Sequence, residues 1–351
     1  MSKQKLIPID NFGFQWHITD RCDQRCAHCY ASDYSDNSEL RIQSLIGIAN
    51  DIFGYLNTLP VTVNLTGGEP LLYKDLFQLL RHIVRFDNLA ELNLITNAVS
   101  VSDTAIASLA ALPKLTSIKI SLESHMPHVN DAVRGHGHFR RVWDNIAKIT
   151  KAGIPVVLMV TLGGWNSASI PGILELAARK GIDGVIFERF VPIGTGKKML
   201  QDSLNANQWC HVVQSITKEL AIDITIDDLL PYRAFQVSTL NGSNAQDRLS
   251  GALCNLGPES MALMPDGTVY PCRRLPLPVG TLPVDSMAQI IESLRGYSPQ
   301  NLLTHMKKSG CSSCVHEDCA GCRALAVAMG NGLYGEDFQC VRLPGASAPD
   351  L

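Results

Sequence analysis

The sequence predicts an α/β fold built on a parallel sheet, and three observations lead there. Short β-rich runs alternate with amphipathic stretches six times between residues 12 and 220. The apolar run Val156-Val157-Leu158-Met159-Val160 suits a strand buried on both faces, as parallel strands are. With 351 residues, 46% of them hydrophobic, the chain is long enough for one large domain and a smaller one. In order, strand and helix pair as 12–19 with 38–57, 61–66 with 74–86, 89–96 with 102–112, 115–122 with 139–151, 154–162 with 167–180, and 182–190 with 205–220. Six units are fewer than the eight of a closed barrel, so the pattern alone allows an open doubly wound sheet or a partial barrel.

A net charge of −3 gives no basic face, so nucleic acid is not an expected partner. Residues 1–8 lack the apolar stretch of a secretory signal, and no run of about 18 apolar residues occurs anywhere, so a cytoplasmic protein without membrane contact is expected. In a reducing compartment the clustered cysteines among the 11 read as metal ligands rather than disulfides.

Three of them, Cys22, Cys26 and Cys29, fall in the run Asp20-Arg21-Cys22-Asp23-Gln24-Arg25-Cys26-Ala27-His28-Cys29-Tyr30. Three thiolates in one tight loop can hold three irons of a 4Fe-4S cube and leave the fourth iron open to another ligand. The competing zinc reading needs a fourth ligand, and His28 is cramped between two cysteines. The spacing C-x-x-x-C-x-x-C, with His28 before the last cysteine and Tyr30 after it, resembles the signature of the radical S-adenosylmethionine (radical SAM) superfamily. That resemblance implies a partial (β/α)6 TIM-like barrel, a 4Fe-4S cluster on the three cysteines, and S-adenosyl-L-methionine chelating the open iron. It also implies reductive cleavage of that cofactor to a 5′-deoxyadenosyl radical, which abstracts a substrate hydrogen, with a low-potential donor such as flavodoxin or ferredoxin.

Ligands of parallel α/β folds gather at the carboxyl ends of the strands. After the second strand comes Thr66-Gly67-Gly68-Glu69-Pro70, where two glycines allow close backbone approach and Glu69 supplies an acceptor. It resembles the superfamily's site for the methionine ammonium group. Asn97, Ser121 and Glu123 end the third and fourth strands and are expected cofactor contacts, while Thr96 and Ser124 read equally as helix caps. Arg134-Gly135 and Glu188-Arg189-Phe190-Val191-Pro192-Ile193-Gly194-Thr195-Gly196 resemble recurring family segments. His125, His128, His136 and His138 form a cluster in a Gly-containing stretch and are expected as solvated loop residues. Cys210, on a predicted helix, is expected as a small buried apolar residue.

From about residue 236 the strand and helix rhythm stops, which divides the chain into a core of 1–235 and a second region of 236–351, with Asn241-Gly242-Ser243-Asn244 as linker. The second region carries Cys254, Cys272, Cys311, Cys314, Cys319, Cys322 and Cys340. The arms around Asp266-Gly267 read as a β-hairpin that returns Cys272 towards Cys254. Two C-x-x-C pairs only four residues apart are too close for a zinc ribbon, whereas neighbouring iron-sulfur clusters can share one dense run. The arrangement resembles the SPASM domain of radical SAM enzymes, with Gly267 five positions before Cys272. By that resemblance there are two auxiliary iron-sulfur clusters, one on Cys311, Cys314, Cys319 and Cys340, the other on Cys254, Cys272 and Cys322. The relatives with such domains imply a maturase that oxidises or cross-links a peptide or protein side chain. Haem-pathway relatives share the Arg-x-x-Pro-x-Gly-x-Gly segment and suggest tetrapyrrole or other small-cofactor processing instead. A non-catalytic electron carrier or scaffold is the third reading, and it would have no use for Gly67-Gly68-Glu69.

Overall fold

Alternating burial in the first strand sets the direction of the whole sheet: Phe12, Phe14 and Trp16 are buried against helices, while Gly13 and Gln15 turn to the other face. Burying side chains of that size stabilises by about 1.5–3 kcal/mol each. A computed structural model describes residues 10–222, 232–239, 248–253, 255–306, 311, 314, 316 and 319–340. Its first part runs β1 (Phe12–His17), α1 (Ile42–Tyr55), β2 (Val61–Thr66), α2 (Leu76–Ile83), β3 (Leu89–Thr96), α3 (Asp103–Ala110) and β4 (Leu115–Ser121). It continues with α4 (Pro127–Arg134), α5 (His138–Lys151), β5 (Val156–Leu162), α6 (Ile170–Arg179), β6 (Gly184–Arg189) and α7 (Ala206–Leu220). All six predicted strand and helix units are present, and β1 to β6 pair in parallel in sequence order. Side chains at the carboxyl ends of β2 to β6 line one common cleft, so the sheet curves as a partial barrel. Within the curve, Lys119 donates to Asn64 (2.8 Å) and Ser117 to Asn93 (2.7 Å), a polar seam between strands.

Local chemistry explains the helix starts. Ser102 caps α3 by accepting from Ala105 N–H (3.1 Å), and Asn205 with Gln208 forms a capping box on α7. The extra helix α4 lies where sequence reading expects a loop. Pro127 sits in its first turn, and only Asn130 and Val133 on it are buried, so its apolar periodicity is faint. The histidine stretch is corrected accordingly: His128 and His136 are exposed and His125 is half-buried, but His138 opens α5 fully buried, its Nδ1 3.0 Å from Asn130. Cys210 is buried as expected.

The second region extends the same sheet at both ends. Strands β7 (Tyr232–Ser238) and β8 (Leu249–Leu253) add antiparallel beyond β6, and β7 runs through the expected division at 235/236. Strand β9 (Ser260–Leu263) pairs in parallel with β1, and β10 (Thr268–Tyr270) and β11 (Gly280–Thr281) follow antiparallel. The predicted hairpin is therefore β9–β10. Gly267 takes φ +89° in its turn, where an added Cβ would meet Leu282 O at 2.2 Å. Cys254 and the linker at 241–244 lie outside the described residues. A second apolar cluster of Val191, Leu256, Leu275, Leu302, Met306 and Leu325 has Cys272, Cys311 and Cys322 packed in or against it.

Candidate functional site: a three-cysteine cleft and a second cysteine cavity

Backbone hydrogen bonds from three distant segments pin the loop after β1. Gly68 N–H donates to Thr19 O and Glu69 N–H to Arg21 O (both 2.7 Å), Ala27 N–H to Val133 O (2.9 Å), and Gly196 N–H to Cys29 O (2.9 Å). Glycine is required at these approaches. A Cβ on Gly68 would lie 2.4 Å from Arg21 O, and one on Gly194 2.1 Å from Tyr30 O. The segment after β6 therefore closes over the cysteine loop.

Each thiol receives a hydrogen-bond donor. Gln24 N–H and Asn97 Nδ2 reach Cys22 Sγ (3.4 and 3.8 Å), Arg134 Nη1 reaches Cys26 Sγ (3.6 Å), and Ala31 N–H reaches Cys29 Sγ (3.4 Å). Burial, with Glu69 and Cys26 adding to it, pushes the Cys22 thiol up to about 12, and burial raises Cys26 as well. Crowded thiols so raised at Cys22 and Cys26 ionise together only with a cationic partner, which a metal centre supplies. Among the described residues no three His, Cys, Asp or Glu groups converge closely enough for a single metal ion. A donor set spread round a cavity, each sulfur already accepting N–H, fits a cluster better than zinc.

The cavity is a cleft of about 970 Å³ including its open mouth. Of the expected cofactor contacts, Gly67, Gly68, Asn97 and Ser121 line it. Glu69 and Glu123 do not; both are buried behind its wall. Glu69 accepts from Thr96 Oγ1 (2.8 and 2.9 Å), Asn97 N–H (2.8 Å) and Leu71 N–H (3.1 Å). Burial nevertheless lifts its carboxyl to about 7. Glu123 takes Arg134 and Thr161 N–H, with His28 Nε2 at 3.3 Å. Burial opposes its ionisation, but Arg134 and His28 outweigh it and hold the carboxyl at about 2. Glu123 thus aims Arg134 at Cys26. Thr96 serves Glu69 rather than a helix, and Ser124 accepts from Met126 N–H (3.1 Å).

Sequence reading missed the opposite wall. Arg273 and Arg274, just after Cys272, line the cleft and share Glu188 (2.9 and 3.2 Å), and Arg273 lies 5.3 Å from the Tyr30 ring centre. Their adjacency to Cys272 was the available signal. Met159 and Thr161 also line the cleft from within a run read only as buried strand.

Cys311, Cys314, Cys319 and Cys340 line a smaller cavity of about 390 Å³, together with His316, Arg233 and Asp337. Behind it Arg189, Arg233 and Arg323 are each less than a tenth exposed. Arg189 pairs with Asp337 (3.2 Å), and Arg233 lies 4.0 Å from the same oxygen. Arg233 Nη2 donates to Cys319 Sγ (2.9 Å). Arg323 donates to Leu333 O and Gly335 O, while its Nε and Nη2 are buried without a hydrogen-bond partner among the described residues.

A partial barrel with three thiols facing an open cleft at its carboxyl edge is the framework of an enzyme that binds its substrate beside those thiols. Residues 16–177 match the radical SAM superfamily. The chain is 28% identical to the mycofactocin maturase MftC of Mycolicibacterium smegmatis, over 95% of this chain and 83% of that protein. Its fold is similar to that of Streptococcus suis SuiB bound to S-adenosylmethionine, with a TM-score of 0.72 at 15% identity, covering 95% of this chain and 77% of SuiB. It is likewise similar to anSMEcpe with bound AdoMet, with a TM-score of 0.70 at 15% identity, covering 95% and 94% of the two chains. The protein is a radical SAM enzyme, which removes the electron-carrier reading. The family's 4Fe-4S cluster and S-adenosylmethionine suit the three-cysteine cleft. Among the described residues, no helix is long and apolar enough to cross a membrane.

Proposed function

We propose that the enzyme is a peptide maturase, which oxidises or cross-links a side chain of a peptide held in the cleft. The observation that carries this reading is continuity. One cleft runs from Cys22, Cys26 and Cys29 to Arg273 and Arg274, beside Cys272 of the second cysteine region. Support also comes from MftC, similar over 95% of the chain and named a maturase, and from SuiB, solved with its precursor peptide SuiA. When bound, the cluster and S-adenosylmethionine supply the hydrogen-abstracting chemistry. In this reading Gly67, Gly68, Asn97 and Ser121 contact the cofactor directly. Glu69 fixes the Asn97 backbone and Glu123 fixes Arg134. Arg273, Arg274 and Glu188 form the wall that meets the substrate.

Cys311, Cys314, Cys319 and Cys340 would hold an auxiliary cluster. Arg189 and Arg233 lie beside Asp337 with Arg323 nearby, and their positive charge favours an anionic group in the cavity. Four thiolates of a cluster are such a group. Cys272 and Cys322 would serve a second auxiliary cluster with Cys254, and a flavodoxin or ferredoxin would supply electrons. The test is anaerobic reconstitution with dithionite, S-adenosylmethionine and short peptides encoded beside the gene, read by mass spectrometry. Loss of hydrogens from one peptide with matching 5′-deoxyadenosine is the expected result. Formation of 5′-deoxyadenosine with every such peptide unaltered would overturn the maturase reading.

A further inference from the structure

A cationic side chain that donates to a cluster thiolate stabilises the more negative, reduced state, and a buried carboxylate beside the cluster does the reverse. Both kinds of group face the second cavity. Arg233, at the start of β7 and 8% exposed, places Nη2 2.9 Å from Cys319 Sγ. Asp337, 1% exposed, lines the same cavity. It is held there by Cys322 N–H (2.8 Å), Gln339 N–H (3.0 Å) and Arg189 (3.2 Å). Neither group is needed to build β7 or the apolar cluster. Arg233 shares the inward face of β7 with Phe235, and its guanidinium also donates to Tyr232 O (3.2 Å), which holds the head group toward the sulfur.

Resting on the auxiliary cluster proposed above, we infer that Arg233 and Asp337 set the reduction potential of the cluster on Cys311, Cys314, Cys319 and Cys340, in opposite directions. Arg233 raises it by its hydrogen bond to Cys319. Asp337 limits that rise, and because it also binds Arg189, which lines the large cleft, it joins the two cavities through one buried ion pair. The one-electron couple itself is unchanged; the two residues shift where it lies.

The experiment is a redox titration with dithionite and mediators, followed by electron paramagnetic resonance, on full-length protein carrying Ala at Cys22, Cys26 and Cys29. The relevant wave is the one lost on Cys314→Ala. Arg233→Leu is expected to disfavour reduction tenfold or more, a downward shift of ~59 mV for one electron. Asp337→Asn, which keeps an acceptor for Cys322 N–H, is expected to shift the wave upward, and Arg233→Lys to shift it less than Arg233→Leu. Should Arg233→Leu fail to fold, the Asp337→Asn and Arg233→Lys arms decide alone. Unmoved potentials, or shifts of the same sign in folded variants with full iron and sulfide, would overturn the inference while leaving the cluster in place. Iron content unaltered by Cys314→Ala would instead sink the cluster assignment, and this inference with it.

Discussion

The two cysteine sites solve opposite problems with the same side chain. At the N-terminal loop, three thiols face a cleft with an open mouth, and their donors are backbone N–H groups, an amide and Arg134, whose charge Glu123 cancels. At the second cavity, four thiols are enclosed, and among the described residues Arg189, Arg233 and Arg323 gather around Asp337. Three thiols before an open mouth suit a centre that must take a further ligand. Four enclosed thiols beside buried arginines suit one that holds charge.

Exchanging the losses between the sites gives the largest expected effects. Replacing Cys22, Cys26 and Cys29 together by Ala should reduce 5′-deoxyadenosine formation to background while iron and sulfide remain at the second region. Replacing Cys314 and Cys340 should leave 5′-deoxyadenosine formation within ~tenfold, about 1.4 kcal/mol of activation free energy, yet abolish the peptide product. Iron falling to zero in a folded triple variant would erase the distinction between the sites.

Next in size is steric disruption of the open site alone. A methyl group on Gly68 meets Arg21 O at 2.4 Å and Asp20 O at 2.5 Å, both backbone atoms that cannot rotate away. Gly68→Ala should cost ~1–3 kcal/mol of stability and lower iron at the first site selectively. Thermal unfolding and iron analysis in parallel would check this. Glu123→Gln should act at the same site by leaving Arg134 buried without its counter-charge, and breaking such a pair typically costs ~3–5 kcal/mol. A urea midpoint close to that of the wild type would show that Arg134 finds another partner.

The residues that could be read in advance are those whose chemistry repeats along the chain. Val156 to Val160 announced a buried strand, the Cys22, Cys26 and Cys29 spacing announced the loop, and Gly67-Gly68 stood at the cleft as expected. What sequence could not show is direction. Glu69 and Glu123 follow the strands from which they were expected to reach the cleft, but their carboxylates turn inward, because Thr96, Asn97 and Arg134 arrive from other elements to meet them. Strand β7 was hidden because Arg233 occupies an inward position where the alternating pattern calls for an apolar residue. The cationic shell was invisible, since Arg189, Arg233 and Arg323 come together only in three dimensions.

A pH dependence separates the two sites by their buried acids. Glu69, raised by burial to about 7 from an ordinary 4.5, binds its proton more tightly in the folded state. Its contribution is therefore full below pH 4.5 and is lost as pH rises through 7, by about 3 kcal/mol at most. Asp337 is also pushed up by burial, but Arg189 and Arg233 outweigh that and hold it below its ordinary value, so it stays ionised throughout this range. His17 and His138, kept neutral by burial, tilt total stability the other way, because their unfolded forms take up protons near pH 6.5. The difference between wild type and Glu69→Gln removes that background. In iron-free protein the wild type should lose stability relative to Glu69→Gln between pH 5 and pH 8, whereas relative to Asp337→Asn it should show no such slope. Parallel urea titrations for both variants would mean that Glu69 is ionised across the whole range, and that the two sites do not differ in this respect.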